Sequence, residues 1–140
     1  MSGNAETLLV TREWVKKAEN DLRTAEHTLT LREDCPFDII CFHAQQCAEK
    51  YLKALLVARG IPPPRTHDLR ILLQMIEPHR DLALEATAIA SLNRYAVQAR
   101  YPEDLEEFTR DDAEKALSVS RQVRGAARQN LPPAALAETP

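Results

Sequence analysis

Apolar residues recur along this chain at intervals of three and four, the repeat that builds one face of an α-helix. Thr11 predicts the cap of a first helix whose stripe is Trp14, Ala18, Leu22, Ala25 and Leu29. Arg12, Lys16, Lys17, Glu19, Arg23 and Glu26 fill its other face as a solvated surface. Residues 1–10 are expected to be a flexible N-terminus. Glu33, Asp34, Cys35 and Pro36 read as a turn, with Asp34 or Cys35 capping and Pro36 in the first turn of the next helix. That second helix, over 36–59, carries Ile40, Ala44, Cys47, Ala48, Tyr51, Leu55 and Ala58 on a wide apolar arc. His43, Gln46, Lys50 and Lys53 fall on a separate polar arc. Gly60 stands where a left-handed cap needs no Cβ, and prolines 62–64 force an extended connector.

Thr66 predicts the cap of a short third helix bearing Leu69, Leu72, Leu73 and Ile76, stopped near Pro78. A fourth is expected over 81–100, with Leu84, Ala88, Leu92, Tyr95 and Ala99 as its stripe and Pro102 closing it. Six carboxylates then lie between Glu103 and Asp112, where a solvated loop, or one that pairs with a basic partner, is expected. Thr109 and Asp112 have the spacing of a capping box for a fifth helix over 110–129. Its packing positions are Ala113, Ala116 or Leu117, Val119, Val123 and Ala127. Residues 130–140 read as a flexible tail.

Composition supports the pattern. Only three of 140 residues are glycine, alanine and leucine abound, and few segments alternate at period two, so the class is all-α. The length suits one domain. A net charge of −3 argues against a general electrostatic grip on DNA, though not against a local basic patch. Cys35, Cys41 and Cys47 are odd in number and make no Cys-x-x-Cys pair, which fits reduced thiols better than disulfides or a zinc site. With neither a signal-peptide pattern nor an apolar run near the ~20 residues of a membrane span, a cytoplasmic protein without a membrane partner is expected. No phosphate loop or metalloprotease motif occurs, so neither cofactor nor metal is expected.

The run from Phe42 through His43, Glu49, Lys50 and Lys53 to Leu56, then Gly60, then Thr66, His67 and Leu69, resembles the HEPN family, the nucleotide-binding domain of higher eukaryotes and prokaryotes. Leu92, the Arg100-Tyr101-Pro102 turn and the Ala-rich last helix agree in order and spacing. The resemblance spans about residues 12–128. It implies an antiparallel, up-and-down bundle of four to five helices that commonly forms homodimers. It also implies a nucleotidyltransferase partner for many members. Some members are toxins of toxin–antitoxin pairs that cleave RNA without metal through an Arg-x4–6-His motif at the dimer interface.

No arginine here is followed by a histidine with four to six residues between them. The nearest echo is Arg94 with Tyr101, and tyrosine, with a pKa of about 10 against about 6.5 for histidine, is a poor acid–base group at neutral pH. Tyr101 reads either as a helix-end aromatic or, by resemblance, as a residue that a partner nucleotidyltransferase modifies. His43, Gln46 and Lys50 could hold a phosphate or a base edge, and convergence of Arg94 and Arg100 on them would strengthen an anion site. Against this, His43 could simply bond a neighbouring helix while Lys50 and Lys53 reach solvent. His67 is expected to bond backbone at the start of the third helix. Arg121, Arg124 and Arg128 suit the negative end of the last helix or a basic docking face. Glu49 with Lys50 reads as surface chemistry.

The function expected is a non-catalytic HEPN-like module that binds a nucleotide or RNA-like ligand and partners a nucleotidyltransferase. A toxin-type ribonuclease with a variant Arg94/Tyr101 site is the alternative from a second class, and a structural assembly adaptor the third.

Overall fold

The computed structural model describes residues 5–77, 81–96 and 107–137. The elements are α1 (Ala5–Thr28), α2 (Phe37–Ala58), α3 (Leu69–Ile76), α4 (Ala86–Ala90) running into a 3-10 turn (Ser91–Tyr95), α5 (Arg110–Asn130) and α6 (Pro133–Leu136). No strand occurs among the described residues, so the all-α class holds.

Cross-helix contacts fix the directions. Rising along α1, Trp14, Glu19 and Asp21 meet Lys53, Tyr51 and then Lys50 on α2, so the two helices are antiparallel. Glu19 and Glu26 of α1 meet Arg124 and Arg121 of α5, which is therefore antiparallel to α1 as well. The α2 helix lies between them and supplies most of the core. Ile40, Cys41, Ala44, Cys47, Ala48, Tyr51, Leu52, Ala54, Leu55 and Leu56 are all buried, so burial runs nearly all round it. Alanines at 18, 25, 44, 48, 113, 116 and 127 let the axes approach closely, and Leu22, Leu117 and Val123 fill the remaining space.

Local chemistry explains the ends. Gly60 adopts φ +76, its N–H donates to Val57 O at 2.9 Å, and the Ile61 N–H donates to Leu56 O at 2.9 Å. This pair of bonds is the Schellman closure expected of a glycine there. The Thr109 hydroxyl accepts from the Asp112 N–H at 3.2 Å, while the Asp112 carboxylate accepts from the Thr109 N–H at 2.8 Å, closing the capping box. The α3 cap is Asp68 rather than Thr66. Asp68 accepts from the Arg70 N–H, and Thr66 instead accepts from the Asp68 N–H one step earlier. Likewise Pro36, and not Asp34 or Cys35, precedes the first residue of α2.

Three boundaries differ from expectation. Helix α1 begins at Ala5, so Thr11 is an interior residue whose hydroxyl donates to Thr7 O at 2.8 Å. Nothing between 5 and 10 breaks a helix, and Glu6 favourably meets the dipole of the first turn. The fourth helix starts at Ala86, because Asp81 accepts from the Ala83 N–H at 2.8 Å and Ala83 sits at φ 56. Its expected middle, Ser91–Tyr95, is a 3-10 turn, and its expected last residues, with Ala99 and the closing Pro102, lie outside the described residues. Beyond α5, Leu131 and Ala135 are buried and α6 packs on α1, in place of a loose tail.

Candidate functional site

Two polar arrangements flank the buried face of α2. The first joins α1, α2 and the connector before α3. Asp21 lies on the α1 stripe between Ala18 and Leu22 and is turned to the core side, with its side chain only 11% exposed. Its Oδ2 accepts from Lys50 Nζ at 2.6 Å, and its Oδ1 meets His43 Nδ1 at 2.8 Å. On α2 itself, Glu49 repeats the scheme at 4% exposure. Its Oε2 accepts from Lys53 Nζ at 3.0 Å, and its Oε1 meets His67 Nδ1 at 2.9 Å. Gln45 donates to Glu49 Oε1 at 3.1 Å and to the His67 carbonyl at 3.2 Å, which ties the connector to α2. Gln46 bridges the set, donating to Gln45 Oε1 at 2.7 Å and, more distantly, to Glu49 Oε1 at 3.4 Å.

A carboxylate only accepts, so each Nδ1 carries the proton of its bond. Neither Nε2 has a hydrogen-bond partner among the described residues. The His43 ring is 21% exposed and the His67 ring 66%. Lys53 also lies over the Trp14 ring, 5.5 Å from its centroid.

The second arrangement joins α1 to α5. Glu19 accepts from Arg124 Nε at 2.7 Å and Nη2 at 3.1 Å, and also from the Tyr51 hydroxyl. Arg128 donates to the Tyr51 oxygen at 3.1 Å, and Arg121 pairs with Glu26 at 2.7 Å. Burial alone would push the Glu19 carboxyl up, but the hydrogen bonds from Arg124 and Tyr51 and the guanidinium charges together hold it below its ordinary value. Burial first, and then the Glu19 contact, pushes the Tyr51 hydroxyl up, so it stays a donor. Burial also pushes the Cys41 and Cys47 thiols up to about 12, which leaves both protonated and unreactive at neutral pH.

The expected residues therefore separate. His43, Gln46, Lys50 and His67 belong to the first arrangement. His43 does bond a neighbouring helix, but Lys50 and Lys53 turn to carboxylates instead of reaching solvent. The His67 ring bonds a side chain and not the backbone. Glu49 is buried, not surface chemistry. Arg94 is elsewhere, with its guanidinium 5.4 Å from the Tyr95 centroid and 5.1 Å from that of Phe108. Arg100 and Tyr101 lie outside the described residues. Arg121, Arg124 and Arg128 serve as cross-helix ties rather than an open docking face. Asp21 and Glu49 are the residues that sequence reasoning missed. The available signal was position: Asp21 interrupts an apolar stripe, and Gln45, Glu49 and Lys53 repeat every four residues on a helix buried nearly all round. Among the described residues no three His, Cys, Asp or Glu side chains gather as a metal site, and no helix is long and apolar enough to cross a membrane.

A helical bundle whose central helix carries a buried polar seam defines the class. The HEPN domain family model matches residues 11–130, and the chain belongs to that family. It is 30% identical over 128 residues to a protein of Methanocaldococcus jannaschii named "Putative toxin MJ1304", a match covering 79% of this chain and 80% of that one. The crystal structure of TT1696 from Thermus thermophilus is similar at a TM-score of 0.75 and 30% identity, over 86% of this chain and 98% of that one. An archaeal HEPN homologue, ST0689, shares the fold at a TM-score of 0.60 and 24% identity, over 86% and 97% of the two chains.

Proposed function

We propose that the chain is a non-catalytic HEPN module, working as a homodimer, that binds a nucleotide or RNA-like ligand and partners a nucleotidyltransferase in the cytoplasm. The observation that carries this reading is the partly exposed polar seam on α2, where the His43 ring shares Asp21 with Lys50 and the largely exposed His67 ring bonds Glu49. Support from the negative side is the missing Arg-x4–6-His motif. Without it, metal-free RNA cleavage at that place has no imidazole to take the 2′-hydroxyl proton.

Calorimetric titration with nucleotides, together with gel filtration alongside the nucleotidyltransferase encoded nearest to this gene, tests the proposal. A saturable heat and a shared elution peak are expected. Absence of both removes it. Sedimentation of the isolated chain at twice its 15.8 kDa mass is the expected sign of the homodimer.

The toxin name of the Methanocaldococcus relative favours a second reading, a ribonuclease that uses Arg94 with Tyr101. Induced expression that arrests growth and degrades RNA, with both effects lost on Arg94→Ala, would establish it. Unimpaired growth with intact RNA would dismiss it.

A further inference from the structure

The cleft between α1 and α5 holds a cation that nothing pairs. Glu19, Leu22, Arg23, Glu26, Arg121 and Arg124 line it, and its volume is about 240 Å³. The arginines of α5 are spent on ties. Arg124 grips both oxygens of Glu19, and Arg121 places Nε and Nη2 on Glu26 Oε2 at 3.1 and 2.7 Å. Arg23 comes from α1 and is exposed. It stands four residues after Glu19 and three before Glu26, the spacings at which helix ion pairs usually form. Both carboxylates are taken by α5, however, and Arg23 has no ion pair or hydrogen bond among the described residues. Three guanidinium groups against two carboxylates leave the cleft with one positive charge, on a chain whose formal net charge is −3. Glu26 Oε1 also has no partner among the described residues, so a spare acceptor lines the same cleft as the spare cation.

We infer that this cleft seats an acidic peptide segment of a partner protein, with Arg23 holding a carboxylate side chain and Glu26 Oε1 accepting a peptide N–H next to it. A planar guanidinium matches a carboxylate through two parallel N–H···O bonds. Size points the same way. The cleft is smaller than the roughly 300–1,000 Å³ of sites for drug-sized ligands, so it suits one side chain with its adjoining peptide unit better than a nucleotide. Chemistry separates a peptide from a phosphodiester, the other singly charged ligand with two oxygens. A peptide carries N–H donors beside its carboxylate for Glu26 to accept, whereas a phosphodiester has none at its phosphorus. Charge then sets the register, because an acidic segment is repelled by the negative remainder of the chain and admitted here. The walls are held before any ligand arrives, since Arg124 and the Tyr51 hydroxyl fix Glu19 and Leu22 is buried. The inference is independent of the nucleotide reading, which rests on the residues of the α2 seam.

Nuclear magnetic resonance titration of the whole chain tests this, with four probes: the N-acetylated, C-amidated tripeptide glycyl-glutamyl-glycine, its glutaminyl counterpart, acetate and dimethyl phosphate. The glutamyl peptide is expected to shift the Arg23 Nε–H resonance saturably, with acetate and dimethyl phosphate binding more weakly and the glutaminyl peptide without effect. Arg23→Gln, a change at an exposed side chain, lowers the affinity about tenfold, the loss of a hydrogen-bonded contact to a charged group. The backbone amides of α1 report it. Arg23→Lys keeps the charge without the fork and recovers part of the loss. Glu26→Gln raises the charge of the cleft by one, keeps an amide oxygen as acceptor, and tightens binding about twofold. General disturbance of the cleft would weaken binding instead, so the opposite signs of the two glutamine variants separate a site from a merely structural contact. Equal shifts with both peptides, undiminished affinity in Arg23→Gln, or weaker binding in Glu26→Gln overturns the inference. Acetate binding as tightly as the glutamyl peptide removes the peptide, and tighter binding of dimethyl phosphate reassigns the cleft to a phosphodiester; each overturns it too.

Discussion

Both polar arrangements around α2 pair carboxylates with cations, yet they use different cations. On the α5 side, Glu19 and Glu26 meet guanidinium groups, which stay charged at any pH a protein survives. On the connector side, Asp21 and Glu49 each meet an ammonium and an imidazole. The first arrangement is a clamp between α1 and α5, and the second ties α1 and the connector before α3 to α2. Burial differs too: Glu49 and Lys53 are nearly sealed from solvent, whereas Arg121 and Glu26 are both about half exposed. The connector-side seam is thus sealed at Glu49, while the α5 side is open to water at Glu26.

Glu49→Ala breaks that comparison hardest. It strands the Lys53 ammonium in the core and leaves Gln45 and His67 without their shared acceptor. Removing one member of a buried pair costs about 3–5 kcal/mol, so urea denaturation should show a large fraction of the domain's stability gone. A loss below about 1 kcal/mol would mean that the seam is solvated in practice. The next effect is on the clamp. Glu19→Gln keeps an acceptor for Tyr51 but removes the charge facing Arg124, at a cost of about 1–2 kcal/mol once solvent screening is allowed for. Because the Glu19 carboxyl is held below its ordinary 4.5, the stability it contributes is present above that value and is lost as pH falls through the lower folded one. The variant should therefore have a flatter acid limb than the parent in melts between about pH 5 and 2. Parallel limbs would place the acid sensitivity elsewhere.

Much of this architecture is legible in the sequence because its signals are local. Periodicity marks α2, a glycine followed by prolines marks its end, and Thr109 with Asp112 marks the start of α5. The partners of His43 and Lys50 are not legible, because they depend on which residue of α1 faces them, and a single stripe does not encode its neighbour. Asp21 reads as one more polar residue on a charged helix, although its place between Ala18 and Leu22 puts it inside. The early start of α1 is hidden because Thr11 has the chemistry of a cap. A helix-compatible stretch that already starts at Ala5 makes it interior. The docked Leu131 and Ala135 are hidden for a similar reason, since prolines suggest a loose end and burial on α1 decides otherwise.

A smaller effect is expected where α2 meets α5. The Ser120 hydroxyl is fully buried against the Cys47 thiol, a weak partner, and makes no conventional hydrogen bond. A desolvated hydroxyl of this kind opposes folding, so Ser120→Ala should be neutral or stabilising by up to about 1 kcal/mol. Destabilisation beyond about 1 kcal/mol would show that the contact with Cys47 is a stronger bond than a thiol normally makes.

The smallest effect should come from Glu26→Ala. Glu26 and Arg121 line a shallow cleft of about 240 Å³ between α1 and α5 with Glu19, Leu22, Arg23 and Arg124, and water reaches both members of the pair. Solvent screening and the entropy of holding two long side chains leave such a pair worth about 0.5 kcal/mol or less. Whatever remains should vanish in 1 M salt, where the screening length falls to about 3 Å. The Glu49 deficit should persist there, because ions do not reach a sealed pair. Running Glu26→Ala and Glu49→Ala side by side at low and high salt therefore measures the contrast between the two arrangements directly. Equal salt sensitivity would erase it.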